Sequence, residues 1–484
     1  MMFKELRGFG GRAKKPLAKI LESRLEKTRS SLPGQSGVFF ERWIDPTSIT
    51  QTADKARREA PAGEAVIPRE RVYTAPVTLG AMLGQCLSGG SQREAVARLR
   101  SERVAEGLKP PSPGTASYSQ ACTRLPIECV QAAHRGILQR APAVKPLIEG
   151  TRVLAVDGTG VQLADTPINQ AHFPQPSNQA EGCGFPVLHL VGLFELDRGL
   201  MVAMAQGPLA ANENGLFQTE LMAALGPRDL LVADRGFCSF YHTAALKAQG
   251  ADVLMRLRTN RAWPKDQKGD DLRVSWTRPR RRDLPSHLTD EEYAALPEKI
   301  EVRYVRFRVE IPGMRSRMIR IVTTRMDLTV EQIAAIYLRR WSIELSFDDL
   351  KTTLGMDFVN AKTPAMAAKL VWLYLIVHNL LRLLMLQAAQ LPTAAPSHRL
   401  SFKGTLDRTL QCLEAMKHQN PRVRERLIDD LLMSIARDPL PWRPFRFEPR
   451  VIKRRPKSFP RMTRPRKSIK SPESHPKSAL LTRR

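Results

Sequence analysis

The hydrophobic pattern along the chain changes period twice. From Val77 it is helical: Leu79, Met82, Leu83 and Leu87 share a face, and Ser88-Gly89-Gly90 breaks the run. Ser91 with Glu94 then reads as an S-x-x-E capping box opening a second helix through Ala95, Val96 and Leu99. More helix is predicted over 126–139. Two helices joined by a glycine turn fit a DNA-binding helix-turn-helix or a plain α-hairpin. From Thr151 to Met204 the runs 153–157, 187–196 and 200–204 are β-rich, bounded by Gly, Pro and Asn. A helical segment near 216–225, an apolar run 230–233 ending at Asp234, a helix over 240–247 and a strand over 252–258 follow. Strands alternating with helices predict an α/β core with a partly parallel sheet.

The α/β rhythm stops over 261–317, a basic, partly β insertion in which 301–311 alternates like a strand, and resumes at 318–324. One long helix is predicted over 329–350 and a second, apolar one over 365–387. Residues 1–76 are basic and broken by Pro33, Pro46, Pro61, Pro68 and Pro76, which predicts a loosely ordered segment. The end of the chain is a basic, proline-interleaved tail, expected to stay disordered until it meets an anion.

The chain has 484 residues, enough for roughly three domains of about 150 residues. Its 76 Lys plus Arg against 48 Asp plus Glu give a formal charge of +28, which points to a polyanionic partner, nucleic acid before membrane. The most apolar stretch, 370–386, carries His378, Asn379 and Arg382 and is too short for a clean span, so a buried core helix is expected. The first 30 residues lack an apolar h-region, which predicts no signal peptide and an intracellular protein. Cys86, Cys122, Cys129, Cys183, Cys238 and Cys412 have neither C-x-x-C nor zinc-ligand spacing and are expected to be reduced packing residues. Leu87-Ser88-Gly89-Gly90-Ser91-Gln92 is close to a transport-ATPase signature, but no Gly-Lys-Ser or Gly-Lys-Thr phosphate loop accompanies it.

Three places carry candidate chemistry. Asp157 interrupts an apolar run, where a buried carboxylate needs pairing or a metal; Asp157-Gly158 between β-rich runs also fits a hairpin turn. Asp234 ends a short apolar strand, where open α/β sheets bind ligands, and also fits a helix N-cap. Tyr337, Arg340, Glu344 and Lys351 follow steps of 3, 4 and 7, which keep them on one helical stripe. Ile333, Ile336, Trp341, Leu345 and Phe347 are expected to anchor that helix on adjoining faces. Alone, the stripe also fits a surface ion-pair ladder.

Tyr337-x2-Arg340-x3-Glu344-x6-Lys351 resembles the Y-R-E-K signature of the insertion-sequence-four family of DDE transposases. Ala233-Asp234-Arg235-Gly236-Phe237 resembles that family's second-aspartate motif, and Val156-Asp157-Gly158-Thr159 its first. The resemblance implies an α/β fold: a ribonuclease H-like catalytic core interrupted by a β-rich insertion, a mainly helical N-terminal domain and a basic disordered C-terminal tail. Patterning and resemblance together divide the chain into 1–76, a basic, loosely ordered segment that the resemblance does not reach; 77–148, a helical DNA-binding domain; 149–260 and 318–390, the two parts of the core; 261–317, the insertion; 391–442, a helical region; and 443–484, the tail.

The resemblance also implies a transposase that cuts at the terminal inverted repeats of its element and joins the ends to target DNA. The alternative is a catalytically inactive, transposase-derived DNA-binding protein; an ordinary nuclease would not explain the Tyr-Arg-Glu-Lys spacing. Asp157, Asp234 and Glu344 would be catalytic and ligate two Mg²⁺ ions, with Mn²⁺ as a substitute, since oxygen ligands suit such ions. Tyr337, Arg340, Lys351 and Arg235 would hold DNA. The implied partners are double-stranded DNA at element ends and target, and a second copy of the chain when DNA is bound, with no membrane. The implied place is the bacterial cytoplasm, at the nucleoid. Some members of that family stack an aromatic residue of the insertion on a displaced base, for which Trp263 and Trp276 are the candidates here, with packing the expected role; His189 and His378, in apolar runs, are expected to pack.

The charge excess predicts steep salt dependence of DNA binding, each neutralised phosphate adding about -0.9 to the slope of log K against log salt. Deleting residues 450–484 should weaken binding to all duplexes and leave sequence preference intact, because phosphate contacts carry no direct sequence information. Filter binding of specific and random duplexes across a salt series checks both; salt-independent affinity would remove nucleic acid as the main partner.

Overall fold

Asp45 caps α1 (Pro46–Glu59) in the computed structural model: its carboxylate accepts from the N–H groups of Thr47 and Ser48 at 3.0 and 3.3 Å. The structure describes residues 39–59, 72–264, 267–285, 288–310, 317–417, 419–441, 461–465 and 468. Before α1, Phe39, Phe40, Trp43 and Ile44 are all buried, together with Ile49 and Ala53 of the helix. Loose order over 1–76 is therefore corrected for residues 39–59, whose aromatic cluster supplies the apolar area that packing needs. The remaining expectations for 1–38 and 60–71, and those for nearly all of the 443–484 tail, lie outside the described residues.

Thr74 and Ser91 cap α2 (Ala75–Ser88) and α3 (Gln92–Ala105) by accepting from Val77 and Glu94 N–H, and Gly89 closes α2 at φ +65°. Only half of the expected capping box forms, because the Glu94 carboxylate pairs with Arg98 at 2.7 Å. With α4 (Ala116–Arg124) and α5 (Ile127–Gln139) these helices belong to a unit comprising Met1–Pro142 and Lys369–Pro439.

The other unit, Ala143–Ala368 with Leu440–Arg484, is built on a sheet. Its elements are β1 (Arg152–Leu163), α6 (Pro167–His172), β2 (Val187–Glu195), β3 (Leu200–Pro208), α7 (Glu213–Leu216) running into a π turn at Phe217–Leu221, β4 (Asp229–Ala233), α8 (Phe240–Ala248) and β5 (Asp252–Arg256). Then come β6 (Asp271–Thr277), α9 (Asp290–Ala295), β7 (Lys299–Val309), β8 (Arg317–Thr323), α10 (Val330–Arg339), α11 (Ser342–Asp348), a π turn at Asp349–Thr353 and β9 (Phe358–Val359). The strand order is β3-β2-β1-β4-β5-β8-β7-β6, with β9 added beside β1. β1, β4 and β5 are mutually parallel, whereas β2, β3 and β6 to β8 pair antiparallel, which gives the mixed α/β sheet expected.

β6 and β7 alternate: Leu272 and Trp276, then Ile300, Val302 and Tyr304, turn to the interior while Arg273, Lys299 and Glu301 do not. Their buried side chains join the cluster that holds Val156, Leu231 and Phe237. The basic β segment thus widens the central sheet through β8 and shares its core. Trp276 packs as expected, with Nε1 donating to the Tyr304 hydroxyl at 2.8 Å; Trp263 is half-buried, with the Arg306 guanidinium 4.7 Å above its ring.

The chain ends its described helices with α12 (Pro364–Ala388), α13 (Phe402–Ala415) and α14 (Pro421–Ala436). α12 is, by length and composition alone, long and apolar enough to cross a membrane, which corrects the expectation that it is too short; 72% of its most apolar window is buried in the protein. His378 and Asn379 are fully buried, and the Asn379 amide lies 3.2 Å from His134 Nε2 on α5. Residues from 369 therefore group with the helices rather than with the sheet, short of the expected core end at 390. The cysteines are unbridged, and all but Cys183 are buried.

Phe217 is fully buried, its ring 5.6 Å from Phe237 and 5.3 Å from His242. Phe217→Ala should cost about 3–5 kcal/mol, read as a lower urea midpoint with an unchanged slope.

Candidate active site

Asp157 lies within β1, and the hairpin-turn alternative is excluded: the strand runs unbroken to Leu163, with Asp157 opposite Gly192 of β2. On its other edge β1 pairs with β4 up to Ala155–Val232, and β9 joins only at Gln162. Continuing the β1–β4 register by two residues sets Asp234 beside Asp157 on the same face, at the carboxyl end of neighbouring parallel strands, where open α/β sheets bind ligands. Asp234 is not a helix cap, a role Ser239 fills for α8. Its Oδ1 instead accepts from Gly236 N–H at 2.7 Å, which fixes the turn after β4.

The predicted single helix over 329–350 is interrupted. A Thr329–Gln332 capping box starts α10, but at Arg340 and Trp341 the bonds tighten to i→i-3, and after α11 they widen into the π turn. Arg340 and Trp341 keep right-handed helical angles, so the Arg340–Glu344 stripe survives the break. Arg340 is 7% exposed and donates from Nη1 to Asp157 Oδ2 at 3.3 Å and from Nη2 to Glu344 Oε1 at 3.2 Å. Lys351 lies in the π turn, where Nζ donates to Thr159 Oγ1 at 3.2 Å, two residues beyond Asp157 on the same strand.

Tyr337 is 2% exposed, its ring centroid 5.9 Å from the Arg340 guanidinium. One expectation changes here. Trp341 and Leu345 are no anchors: they are 39% and 66% exposed, while Ile333, Ile336, Ile343, Phe347 and Leu350 fill the core. Arg235 is exposed, as a DNA contact requires.

Burial pushes the Asp157 carboxyl up to about 6; Gly158 N–H and Arg340 pull it down, while Glu213 and Asp234 push it further up. Burial also opposes the Arg340 charge, but Tyr337, Asp157 and Glu344 outweigh it and hold the guanidinium above its usual value.

Sequence reasoning missed three neighbours. Arg258 donates to the carbonyls of Arg235 and Gly236 at 3.2 and 2.7 Å and clamps the Asp234 turn. The Glu213 carboxylate occupies the space a side chain on Gly158 would need, and His189 Nε2 approaches it at 3.6 Å. The signal for Glu213 was a glycine inside a strand, which marks a close approach.

The donor set of Asp157, Asp234 and Glu344 is all oxygen and suits a hard divalent ion. Their arrangement does not yet form a cage: among the described residues, no three His, Cys, Asp or Glu side chains are close enough together to hold a metal ion. Asp157 and Glu344 meet only through the Arg340 guanidinium.

The raised Asp157 carboxyl has a definite sign. Between its unfolded value near 3.8 and its folded value of about 6, the folded state holds the extra proton, so this group's contribution falls as pH rises through that window. Asp157→Asn should remove this decrement, of up to about 3 kcal/mol, so that its stability falls less than that of the parent between pH 4 and 6.5 in paired, metal-free urea titrations. A parallel pH dependence in both proteins would contradict the burial effect.

The chain matches the family described as transposase DDE domain over residues 148–380, which contains all three carboxylates and the Tyr-Arg-Glu-Lys residues. It is 26% identical over 326 residues to the transposase InsG for insertion sequence element IS4 of Escherichia coli (strain K12), covering 66% of this chain and 71% of that protein. A cryo-EM structure of the piggyBac transposase synaptic complex with hairpin DNA aligns with 83% of this chain and 85% of its own at 10% identity and a TM-score of 0.41, a likeness that adds nothing about fold or function. DDE transposase domains generally use divalent metal ions. The chain thus carries a transposase DDE domain and is a DNA transposase similar to that of insertion sequence element IS4.

Proposed function

We propose that Asp157, Asp234 and Glu344 are the catalytic carboxylates of a ribonuclease H-like core that cleaves DNA at the terminal inverted repeats of its element and joins the freed ends to target DNA. The observation that carries this is the Arg340 guanidinium bonded to Asp157 and Glu344 at once, which ties β1 and α11 into one polar site beside Asp234. The three carboxylates would hold two Mg²⁺ ions, for which Mn²⁺ substitutes. Such ions activate the attacking oxygen and stabilise the leaving one in in-line phosphoryl transfer.

The chain's own residues do the rest. Asp234 is held in place by its turn, which Arg258 clamps from the far side. Arg340 is the positive charge that Asp157 and Glu344 share, and its planar fork suits a DNA phosphate equally well. With Asp157 and Glu344 holding a divalent ion, Arg340 would be released to bind the DNA backbone. Lys351 offers a point charge beside Thr159, and Arg235 a second exposed cation next to Asp234. Repeat recognition is assigned to the helical segment 77–148, with α3 as the outward member of its helix pair, and non-specific affinity to the basic tail. Two ends brought together call for a dimer on DNA, and the place of action is the bacterial cytoplasm.

Asp157→Asn, Asp234→Asn and Glu344→Gln should each abolish strand cleavage while leaving folding and repeat binding intact, because each keeps its shape and loses the charge the ion needs. Lys351→Ala should cleave slowly and bind the DNA end less well. The assay uses purified protein, a labelled terminal-repeat duplex and Mg²⁺, scored for binding, cleavage and joined products. Cleavage by Asp157→Asn at the parental rate would sink that assignment; a parent that binds repeats but never cuts would identify an inactive, DNA-binding relative.

Arg340→Ala should separate two effects: weaker binding of the DNA end, and tighter binding of Mn²⁺ to the DNA-free protein by calorimetry, because the guanidinium no longer competes for the two carboxylates. Unchanged Mn²⁺ affinity would show that Arg340 and the ion do not share a place.

A further inference from the structure

β1 places two glycines on one face. By alternation Gly158 and Gly160 turn away from the side that carries Asp157 and Thr159, and β2 sets His189 opposite Gly160. Glycine inside a strand gains nothing for packing unless another group must come close. Here that group is Glu213, because a side-chain carbon on Gly158 would collide with the Glu213 carboxylate. Asn212 fixes the placement: its side chain accepts from Gly215 N–H at 2.9 Å and starts α7 with Glu213 as first residue. The carboxylate keeps capacity to accept further bonds. His189 Nε2 stops at 3.6 Å, longer than a hydrogen bond, and the Glu213 side chain is 39% exposed to water.

The strand edge beside Gly158 is open. β4 pairs with β1 only as far as Ala155, and β9 joins at Gln162, so among the described residues no strand pairs along that side of β1 in between. Asp157 and Glu213 border this opening from opposite faces of β1. Their charges are coupled, since Glu213 opposes ionisation of Asp157 more strongly than Asp234 does.

We propose that Glu213 is a positioning residue of the cutting site, whose carboxylate accepts hydrogen bonds from water on a divalent ion held by Asp157. This rests on the assignment of Asp157, Asp234 and Glu344 as that site. Mg²⁺ bound by one or two carboxylates keeps several waters, and the groups that receive those waters help to hold it. In the DNA-free protein the Arg340 guanidinium opposes any cation at Asp157 and Glu344. A further carboxylate therefore has its largest effect there.

The test uses the full chain, with Mn²⁺ binding measured by calorimetry without DNA. Cleavage is titrated with Mg²⁺ on a duplex taken from the inverted repeat flanking its own reading frame. Glu213→Gln keeps the shape and removes the charge, so it should weaken Mn²⁺ binding about ten-fold and raise the Mg²⁺ needed for half-maximal cleavage by the same factor. Excess Mg²⁺ should restore cleavage, and the urea midpoint should stay in place. Glu213→Asp keeps the charge and should recover part of the loss. Gly158→Ala displaces the carboxylate and should lose the same factor, and its combination with Glu213→Gln should lose no more than either alone.

Parental Mn²⁺ affinity and Mg²⁺ dependence in Glu213→Gln would overturn the proposal, whatever Gly158→Ala does. A loss that excess Mg²⁺ does not restore, or one that comes with a lower urea midpoint, would make Glu213 a strut for α7 and overturn it too. Asp157→Asn, run in parallel, keeps the two ideas apart. Parental Mn²⁺ binding and cleavage by Asp157→Asn would remove the cutting site on which Glu213 depends, whereas their loss beside a parental Glu213→Gln would remove the role of Glu213 alone.

Discussion

A carboxylate placed inside a β-strand, with only a quarter of its side chain open to solvent, needs a positive partner, and the structure around Asp157 follows from meeting that need. Arg340 supplies the charge, but an arginine is no easier to bury, so Tyr337 lies beneath it and Glu344 takes its second edge. That chain of dependence joins β1 to α11 and fixes how the segment after α10 lies on the sheet. It also explains why burial fails to neutralise the site: Asp157 is pushed up by burial, Glu213 and Asp234, yet Arg340 holds it in contact. A pair broken on one side leaves an uncompensated buried charge, which costs about 3–5 kcal/mol. The arrangement is therefore stable only while Arg340 or another cation is present.

Much of this was legible in the sequence. The alternation of strand and helix from Thr151 to Arg258 predicted a partly parallel sheet, and both aspartates fall at the strand positions the apolar runs indicated. The step of four between Arg340 and Glu344 predicted their pairing, and it forms. Periodicity could not show where helical hydrogen bonding tightens and widens between Leu338 and Thr353, because no proline or glycine marks either place. It also assigned Trp341 and Leu345 to the core, since apolar type and helical phase say only that a residue can be buried. Ile343 and Phe347 had already taken the available space.

The basic segment after β5 shows a different limit. Its charge density breaks the strand-helix rhythm and reads as an insertion standing apart, yet Leu272 and Trp276 of β6 and Ile300, Val302 and Tyr304 of β7 point into the common core. Arg303 lies on the other face and pairs with Asp271 at 2.6 Å, whereas Arg306 pairs with Asp270 and caps the edge of the core face by covering Trp263. Composition averaged over both faces hides this, whereas the period of two reveals it. At the N-terminus the same averaging concealed Phe39, Phe40, Trp43 and Ile44, an apolar cluster in an otherwise basic and proline-broken stretch.

The departures from ordinary folding rules fall together in one place. A strand interior holds Asp157 followed by Gly158, a glycine that weakens a strand yet leaves room for the Glu213 carboxylate. An arginine is buried, a π turn replaces regular helix so that Lys351 reaches Thr159, and an indole faces water next to a carboxylate. Elsewhere the sheet unit obeys the rules closely, with β4 buried along its whole length and β6 and the first half of β7, up to Tyr304, alternating. Natural sequences break local rules where function requires it and compensate in the surroundings. Here the compensation is visible in Phe217, Phe237 and His242, which pack edge to face beside the Asp234 turn while His242 Nδ1 donates to the Phe237 carbonyl at 2.6 Å. The Arg340 guanidinium is the other compensation, since it answers Asp157 and Glu344 at once.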